Sequence, residues 1–254
     1  MVTATAAVPP PGPSEPPLAL LVDFDGTIAR GDVTAAVMLA SLPAGRQLPW
    51  QEGSQQSWPE MMLEAAGGFP RDPAPLLAAA ARVPLDRTFA SLASRAAAAG
   101  VAVEVVSDGF GFFIEPALRR LGAGWVPIAS GATEFGPGGP RLTFPHGNPA
   151  CGVCGTCKRN RVLAHQAAGR RVAFVGDGES DRYAAGYADE VFAKDGLVDI
   201  CREGGLAYRT WATFDDVRRW LDEQLAAFGA DPAALPGPRP RPLFCGPEAW
   251  GPDR

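Results

Sequence analysis

The apolar run Leu18-Ala19-Leu20-Leu21-Val22 stops abruptly at Asp23-Phe24-Asp25-Gly26-Thr27. Continuous apolar character without polar alternation predicts a strand buried on both faces, as in a parallel sheet covered by helices on either side. Similar runs recur at Val101-Ala102-Val103-Glu104-Val105-Val106 and Arg171-Val172-Ala173-Phe174-Val175, with shorter candidates over 126–129 and 190–193. Helical patterns fall between them. Asp86 can cap a helix that buries Phe89, Leu92 and Ala96 and stops at Gly100. Thr213 with Asp216 resembles a capping box ahead of Phe214, Val217, Leu221, Leu225 and Phe228 at helical spacing. Alternating strands and helices predict an α/β fold around a doubly wound, Rossmann-like parallel sheet.

Residues 32–85 break the alternation. A helix from Thr34 to Ser41 is followed by Trp50, Trp58, Met61, Met62 and Phe69 among prolines, which predicts a small helical insertion after the first strand. The core is therefore expected at 18–31 and 86–226. Residues 1–17 form a Pro-rich tail expected to be disordered or extended, and 227–254 an irregular Pro/Gly-rich tail. The 254 residues carry a net charge of −5 with no basic block, which argues against nucleic acid as a partner. No run approaches the roughly 18–20 apolar residues of a membrane span. The N-terminal residues lack the pattern of a secretory signal, so a cytoplasmic location is expected.

In doubly wound sheets, ligands bind beyond the carboxyl ends of the strands. Asp23 and Asp25 fall at that end of the first strand, Ser107 and Asp108 at that of the second long one, and Asp177 and Asp181 beyond 172–175. So many carboxylates at one place would repel unless a cation sat among them, and Mg²⁺ suits oxygen ligands of this kind. Gly26 permits the turn that lets both Asp23 and Asp25 face the site. Ser107, followed by Gly109, can hold phosphate oxygens, and Lys158 near a helix start can add positive charge.

This set, in this order along the chain, resembles the haloacid dehalogenase superfamily over roughly residues 18–226. The four motifs are Asp23-Phe24-Asp25-Gly26-Thr27, Ser107, Lys158 and Gly176-Asp177-Gly178-Glu179-Ser180-Asp181. The long interval between Asp23 and Ser107 leaves room for the helical cap that one subclass inserts there. Within the superfamily the chain is similar to the phosphoserine phosphatase-like group and, more narrowly, to the methionine-salvage phosphatases. The narrower likeness rests on residues 107–114, the Pro145-His146 and Cys-rich stretch, and 192–197 ahead of Cys201-Arg202-Glu203. The second motif reads Ser-Asp-Gly where Ser-Gly-Gly is expected, which adds a carboxylate beside the phosphate.

The resemblance implies a phosphatase for a small phosphorylated metabolite. Asp23 would be the nucleophile and Asp25 the acid–base. Asp23, the Asp25 backbone carbonyl and Asp177 would be ligands to Mg²⁺. Thr27, Ser107, Asp108, Gly109 and Lys158 would lie around the phosphate, and Asp181 would orient the metal shell or Lys158. A phosphomutase on the same core, or a non-catalytic metal-binding protein, are the alternatives.

Cys151, Cys154 and Cys157 are three of five cysteines. With His146 they could form a structural Zn²⁺ set, or they could be thiols without a metal. Cys201 and Cys245 look unrelated to that cluster. His165 reads as a surface or packing residue and Glu179 as a solvated helix-start acid. The aromatics of the insertion read as its own small core in preference to a pocket lining. Arg30 and Arg46 are candidate contacts for a substrate carboxylate.

Overall fold

The computed structural model describes residues 8–42, 47–48, 50, 56–149 and 151–238. Arg46 and Cys245 lie outside them. A seven-stranded sheet has the order β4-β3-β2-β1-β5-β6-β7. Its strands are β1 (Leu18–Val22), β2 (Ala102–Phe110), β3 (Ile128–Gly136), β4 (Gly139–Thr143), β5 (Arg171–Gly176), β6 (Glu190–Ala193) and β7 (Arg209–Thr210). β1 lies at the centre, parallel to both β2 and β5.

The unbroken apolar run of β1 follows from burial on both sides. Leu18, Leu20 and Val22 face one core, while Ala19 and Leu21 face the other. The first core is covered by α4 (Thr88–Ala98), α5 (Gly111–Arg120) and α9 (Phe214–Ala230), the second by α6 (Lys158–Ala167), α7 (Arg182–Tyr187) and α8 (Asp195–Glu203). Period-two alternation within an all-apolar strand thus yields helices on both faces.

The expected helix signals are in place. Asp86 Oδ1 accepts from the Thr88 N–H and hydroxyl at the start of α4, and Gly100 ends it at φ +74°. Asp216 Oδ2 accepts from the Thr213 N–H at 3.1 Å.

The sheet departs from an all-parallel one at its edge. β3 extends well beyond residue 129, and β4 pairs antiparallel to it from Ala132↔Thr143 to Gly136↔Gly139. The Gly136-Pro137-Gly138-Gly139 turn, with Gly139 at φ +99°, reverses the chain without a crossover helix.

Between β1 and β2, ahead of α4, lie α1 (Val33–Ser41), α2 (Trp58–Ala66) and α3 (Ala74–Arg82). Met61, Met62 and Phe69 join the first core. At the N-terminal side, residues 8–17 have no regular structure but lie on the body of the protein: Pro16 is buried, and Arg170 donates to the Pro9 carbonyl.

Candidate active site

β1 delivers Asp23 to the carboxyl edge of the sheet, where its N–H reaches the Val175 carbonyl at 2.9 Å. Beyond it the chain makes one wide turn, Phe24–Ile28, closed by the Ala29 N–H on the Phe24 carbonyl at 2.8 Å. Gly26 sits at φ +73° in that turn, and a Cβ there would lie 2.0 Å from an Asp177 carboxylate oxygen. Only glycine lets the turn and that carboxylate share the space.

Lys158, the first residue of α6, brings its ammonium 2.6 Å from Asp23 Oδ1, 2.6 Å from Asp181 Oδ1 and 2.9 Å from Ser180 Oγ. Its three N–H donors are thereby all used. Asp181 Oδ2 accepts from the N–H groups of Asp177 (2.9 Å) and Gly178 (3.2 Å), so this acid ties Lys158 to the loop after β5. Oxygens of Asp23, Asp177 and Asp181 lie within 4.8 Å of one another.

Burial is the largest influence on these acids. It raises Asp23 well above the ordinary carboxyl range; Asp181 and Asp177 add to the shift and Lys158 opposes it. Asp177 is pushed up to about 6, by burial first and Asp181 second. Burial alone would lower Lys158, but the charges of Asp181, Asp23 and Asp108 outweigh it and hold the ammonium above its ordinary range.

Asp25 occupies a different setting. Its Oδ1 accepts from the Val33 N–H at 2.8 Å and its Oδ2 from the Thr34 hydroxyl at 2.7 Å, both in the first turn of α1. Burial, with Asp32 adding repulsion, pushes it up to about 7. The side chain is thus near half-protonated at neutral pH, the state suited to giving and taking protons.

Ser107 is buried, and its Oγ accepts from the Gly109 N–H at 3.0 Å. Asp23, Asp25, Ser107, Asp108, Gly109 and Asp177 all border one cavity of about 810 Å³. Thr27 does not reach that cavity lining; it is fully buried and donates to Asp177 Oδ1 at 2.8 Å. Asp108 Oδ1 accepts from the Thr156 N–H at 2.7 Å, two residues before Lys158, so this carboxylate holds the loop that presents the lysine.

The aromatics of the insertion divide between two roles. Trp50 and Trp58, with ring centres 5.2 Å apart, border the cavity, whereas Met61, Met62 and Phe69 are core residues. Arg30 also borders the cavity, 3.4 Å from Asp86.

The zinc expectation finds no support. Cys151, Cys154 and Cys157 line a second, very small cavity beside Lys158 and Ser180. Among the described residues, however, the three aspartates alone bring three possible ligand atoms within 4.8 Å of one another. Tetrahedral zinc, with sulfur at about 2.3 Å, needs its ligands closer together than that. The Cys loop is instead held by backbone bonds: the Cys157 N–H to the His146 carbonyl at 2.8 Å, and the Trp58 N–H to the Val153 carbonyl at 3.1 Å.

Several residues around the site make contacts that their positions in the sequence did not indicate. Ser180 accepts from Lys158, and the Thr34 hydroxyl donates to Asp25. Lys194 borders the cavity with its ammonium 4.2 Å from the Trp211 ring centre. His165 is buried, with Nε2 2.8 Å from Glu104 Oε2, while Arg161 grips both oxygens of that glutamate at 2.9 Å. This cluster fastens α6, and hence Lys158, to β2. Glu179 is exposed and pairs with Arg182.

Residues 20–186 match the family model of the haloacid dehalogenase-like hydrolases. A 2-hydroxy-3-keto-5-methylthiopentenyl-1-phosphate phosphatase of Exiguobacterium sibiricum is 28% identical over 207 residues, covering 78% of this chain and 93% of that protein. The protein of the same description from Brevibacillus brevis is 30% identical over 223 residues, covering 81% and 96%. A solved structure described as a phospho-aspartyl intermediate analogue of phosphoserine phosphatase superposes with a TM-score of 0.57 at 13% identity, covering 80% of this chain and 98% of that one. No helix among the described residues is long and apolar enough to cross a membrane. With most of the sheet and all four site motifs inside the matched segment, the chain belongs to the haloacid dehalogenase-like hydrolases.

Proposed function

We propose that this hydrolase is a Mg²⁺-dependent phosphomonoesterase that cleaves a small phosphorylated metabolite through an aspartyl-phosphate on Asp23. The observation that carries the reading is that two carboxyls bordering one cavity are held by different partners. Asp23 Oδ1 lies 2.6 Å from the Lys158 ammonium, whereas Asp25 is held by the Val33 N–H and the Thr34 hydroxyl. Burial favours the neutral form of both. Lys158, together with a bound cation, would draw Asp23 toward the ionised form that attacks phosphorus, while Asp25 carries the proton for the leaving group.

In this scheme a carboxylate oxygen of Asp23 forms the bond to phosphorus as the ester oxygen leaves. Asp25 gives its proton to that oxygen and then takes one from the water that hydrolyses the aspartyl-phosphate. Lys158 offsets the charge of the phosphoryl oxygens. The Ser107 hydroxyl, whose oxygen already accepts from Gly109, keeps its hydrogen to donate to them. Ser107→Ala is expected to lower kcat by ~10²–10³, the cost of one lost donor to a charged transition state. Steady-state kinetics on a chromogenic phosphate ester check this, and a loss in KM alone would contradict it.

The acidic cluster fits Mg²⁺: its donors are all carboxylate oxygens, and burial with mutual repulsion leaves Asp23 and Asp177 short of positive charge. Asp23 and Asp177, with the backbone carbonyl of Asp25, would hold the ion, and Asp181 would steady Lys158 beside it. When bound, the ion supplies charge neutralisation for the phosphoryl oxygens.

A consequence for stability follows. Asp25 and Asp177 have folded-state pKa values raised above their unfolded ones, to about 7 and about 6. Their contribution is fully present below the ordinary carboxyl value and is lost as pH rises through about 6 to 7. A divalent cation opposes that loss by binding the ionised forms. The rise in Tm on adding Mg²⁺ is therefore expected to be small at pH 5 and to grow toward pH 8. A shift of the same size at both pH values in thermal melts would contradict the assignment.

The tryptophan pair on the cavity wall supports a leaving group with an apolar portion, as in the substrate named for the curated relatives. The test is hydrolysis of p-nitrophenyl phosphate with Mg²⁺ and with EDTA, followed by a screen that includes phosphoserine and methylthiopentose phosphates. Turnover with Mg²⁺ and none with EDTA is expected. Equal rates in both would overturn the reading.

A further inference from the structure

We propose that Asp108 is a positioning residue: it binds the cap and the Lys158 loop at once, and so seats Lys158 beside Ser107 at a single phosphate, a role that rests on the phosphatase reading above. The sequence resemblance put its carboxylate beside the phosphate. The structure turns Oδ1 of that carboxylate to the Thr156 N–H at 2.7 Å instead. Thr156 is clamped from its other side too, because its carbonyl accepts from the Lys158 N–H at 2.9 Å. A relay of two hydrogen bonds through Thr156 therefore runs from Asp108 to the backbone of Lys158, whose ammonium lies 2.6 Å from Asp23 Oδ1.

β2 frees Asp108 for these bonds by leaving its ladder. Val106 pairs with Ala129 and Phe110 with Gly131, a step of four residues against a step of two, so residues 107–109 bulge out of register. A bulge of this kind re-aims side chains and releases backbone groups from the sheet. Beside Asp108, Ser107 Oγ accepts from the Gly109 N–H at 3.0 Å. The Asp108 carbonyl itself accepts from the Trp58 indole N–H at 3.0 Å.

Trp58 opens α2 of the helical cap and meets the Lys158 loop twice more. Its backbone N–H donates to the Val153 carbonyl at 3.1 Å, and a Cβ on Gly155 would lie 2.9 Å from its ring. The same ring borders the cavity beside that of Trp50. Cap, Ser107 turn and Lys158 loop thus meet at one residue. The glycine of a Ser-Gly-Gly motif has no acceptor with which to close this junction. A neutral amide oxygen at position 108 accepts the same hydrogen bond, whereas alanine or glycine leaves the Thr156 N–H without its partner.

The experiment measures kcat and KM on p-nitrophenyl phosphate with Mg²⁺, and amide hydrogen exchange over residues 153–158, in the full chain and its variants. Asp108→Ala is expected to lower kcat roughly hundredfold, the effect of about 1 Å of misplacement at a catalytic group, with KM little changed and the Thr156 amide exchanging faster. Asp108→Gly should do the same, and it decides the case if the alanine variant does not fold. Asp108→Asn, which keeps the acceptor without the charge, should hold kcat within about tenfold and keep the Thr156 amide protected. Trp58→Phe should also speed exchange in the loop, and its cost combined with Asp108→Ala should fall short of the sum of the two. Asp108→Asn as damaging as Asp108→Ala, or kcat unchanged in both Asp108→Ala and Asp108→Gly, overturns the proposal. So does a fall in kcat with unaltered exchange, which would mean that Asp108 acts by touching the ester. Strict additivity with Trp58→Phe overturns the link to the cap. If the parent chain hydrolyses no phosphate ester, the phosphatase reading fails while exchange at Thr156 still decides the junction.

Discussion

Asp23→Asn is expected to lower turnover of any phosphate ester by ~10⁴-fold or more while leaving the chain folded, because an amide of the same shape cannot form the covalent intermediate. The carboxylate it replaces is buried, and burial raises its pKa well above the ordinary range, so its ionised form is costly to keep in the apoprotein. Removing that charge leaves Lys158 with Asp181 and Ser180 as partners. Thermal stability without Mg²⁺ is therefore expected to be unchanged or higher, and the Mg²⁺-induced rise in Tm to shrink. Rate constants and melts on the same preparation separate the two effects. Residual turnover within about tenfold of the parent would mean that Asp23 is not the attacking group.

Lys158→Met is expected to damage both properties. Removing one partner of a buried ion pair costs about 3–5 kcal/mol, since the remaining charges stay buried without compensation. Here two carboxylates, Asp23 and Asp181, each 2.6 Å from the ammonium, would be left facing each other. Turnover should fall by at least ~10²–10³ through loss of positive charge at the phosphoryl oxygens. The pKa of Lys158 is raised in the fold, so its contribution is fully present below the ordinary lysine value and is lost only as pH rises through the still higher folded one. The parent chain therefore keeps this contribution across the neutral range, and the deficit of Lys158→Met should shrink on acidification, when Asp23, whose pKa is already raised by burial, takes up a proton. Adding Asp181→Asn to Lys158→Met should recover part of the stability and none of the activity. Denaturant unfolding at pH 5 and pH 8 checks the pattern, and a deficit that is absent at pH 8 would contradict it.

The core of this molecule was readable because its strands are buried on both faces and end in acids. Leu18–Val22 could not be a one-sided strand, and Asp23 had to stand at its carboxyl end. The edge hairpin was harder. Residues 132–135 and 140–143 range from buried (Leu142) to exposed (Glu134, Arg141, Thr143), mix polar with apolar side chains and flank a Gly/Pro turn, so their alternation competes with a loop reading.

Within the candidate site, residue types and order pointed to loops that the fold brings together, but not to the bonding pattern. Thr27 supports Asp177 from beneath, and Asp108 holds the Thr156 N–H, because partners 150 and 48 residues apart are set by how the loops pack. Glu104 interrupts the apolar run 101–106, and its partners Arg161 and His165 lie 57 and 61 residues away. Their hydrogen bonds outweigh the burial that would raise its pKa, and the net shift is downward. The cysteine spacing suggested a zinc set, but spacing along the chain does not fix where sulfurs point.

The most direct measurement is mass spectrometry on the chain quenched in acid during turnover of a phosphate ester with Mg²⁺. The account predicts a population heavier by one phosphoryl group, with the label on the peptide containing Asp23 and absent from Asp23→Asn. Efficient turnover with no covalent phosphoryl group at Asp23 under any quench time, or with the label on another residue, would contradict it.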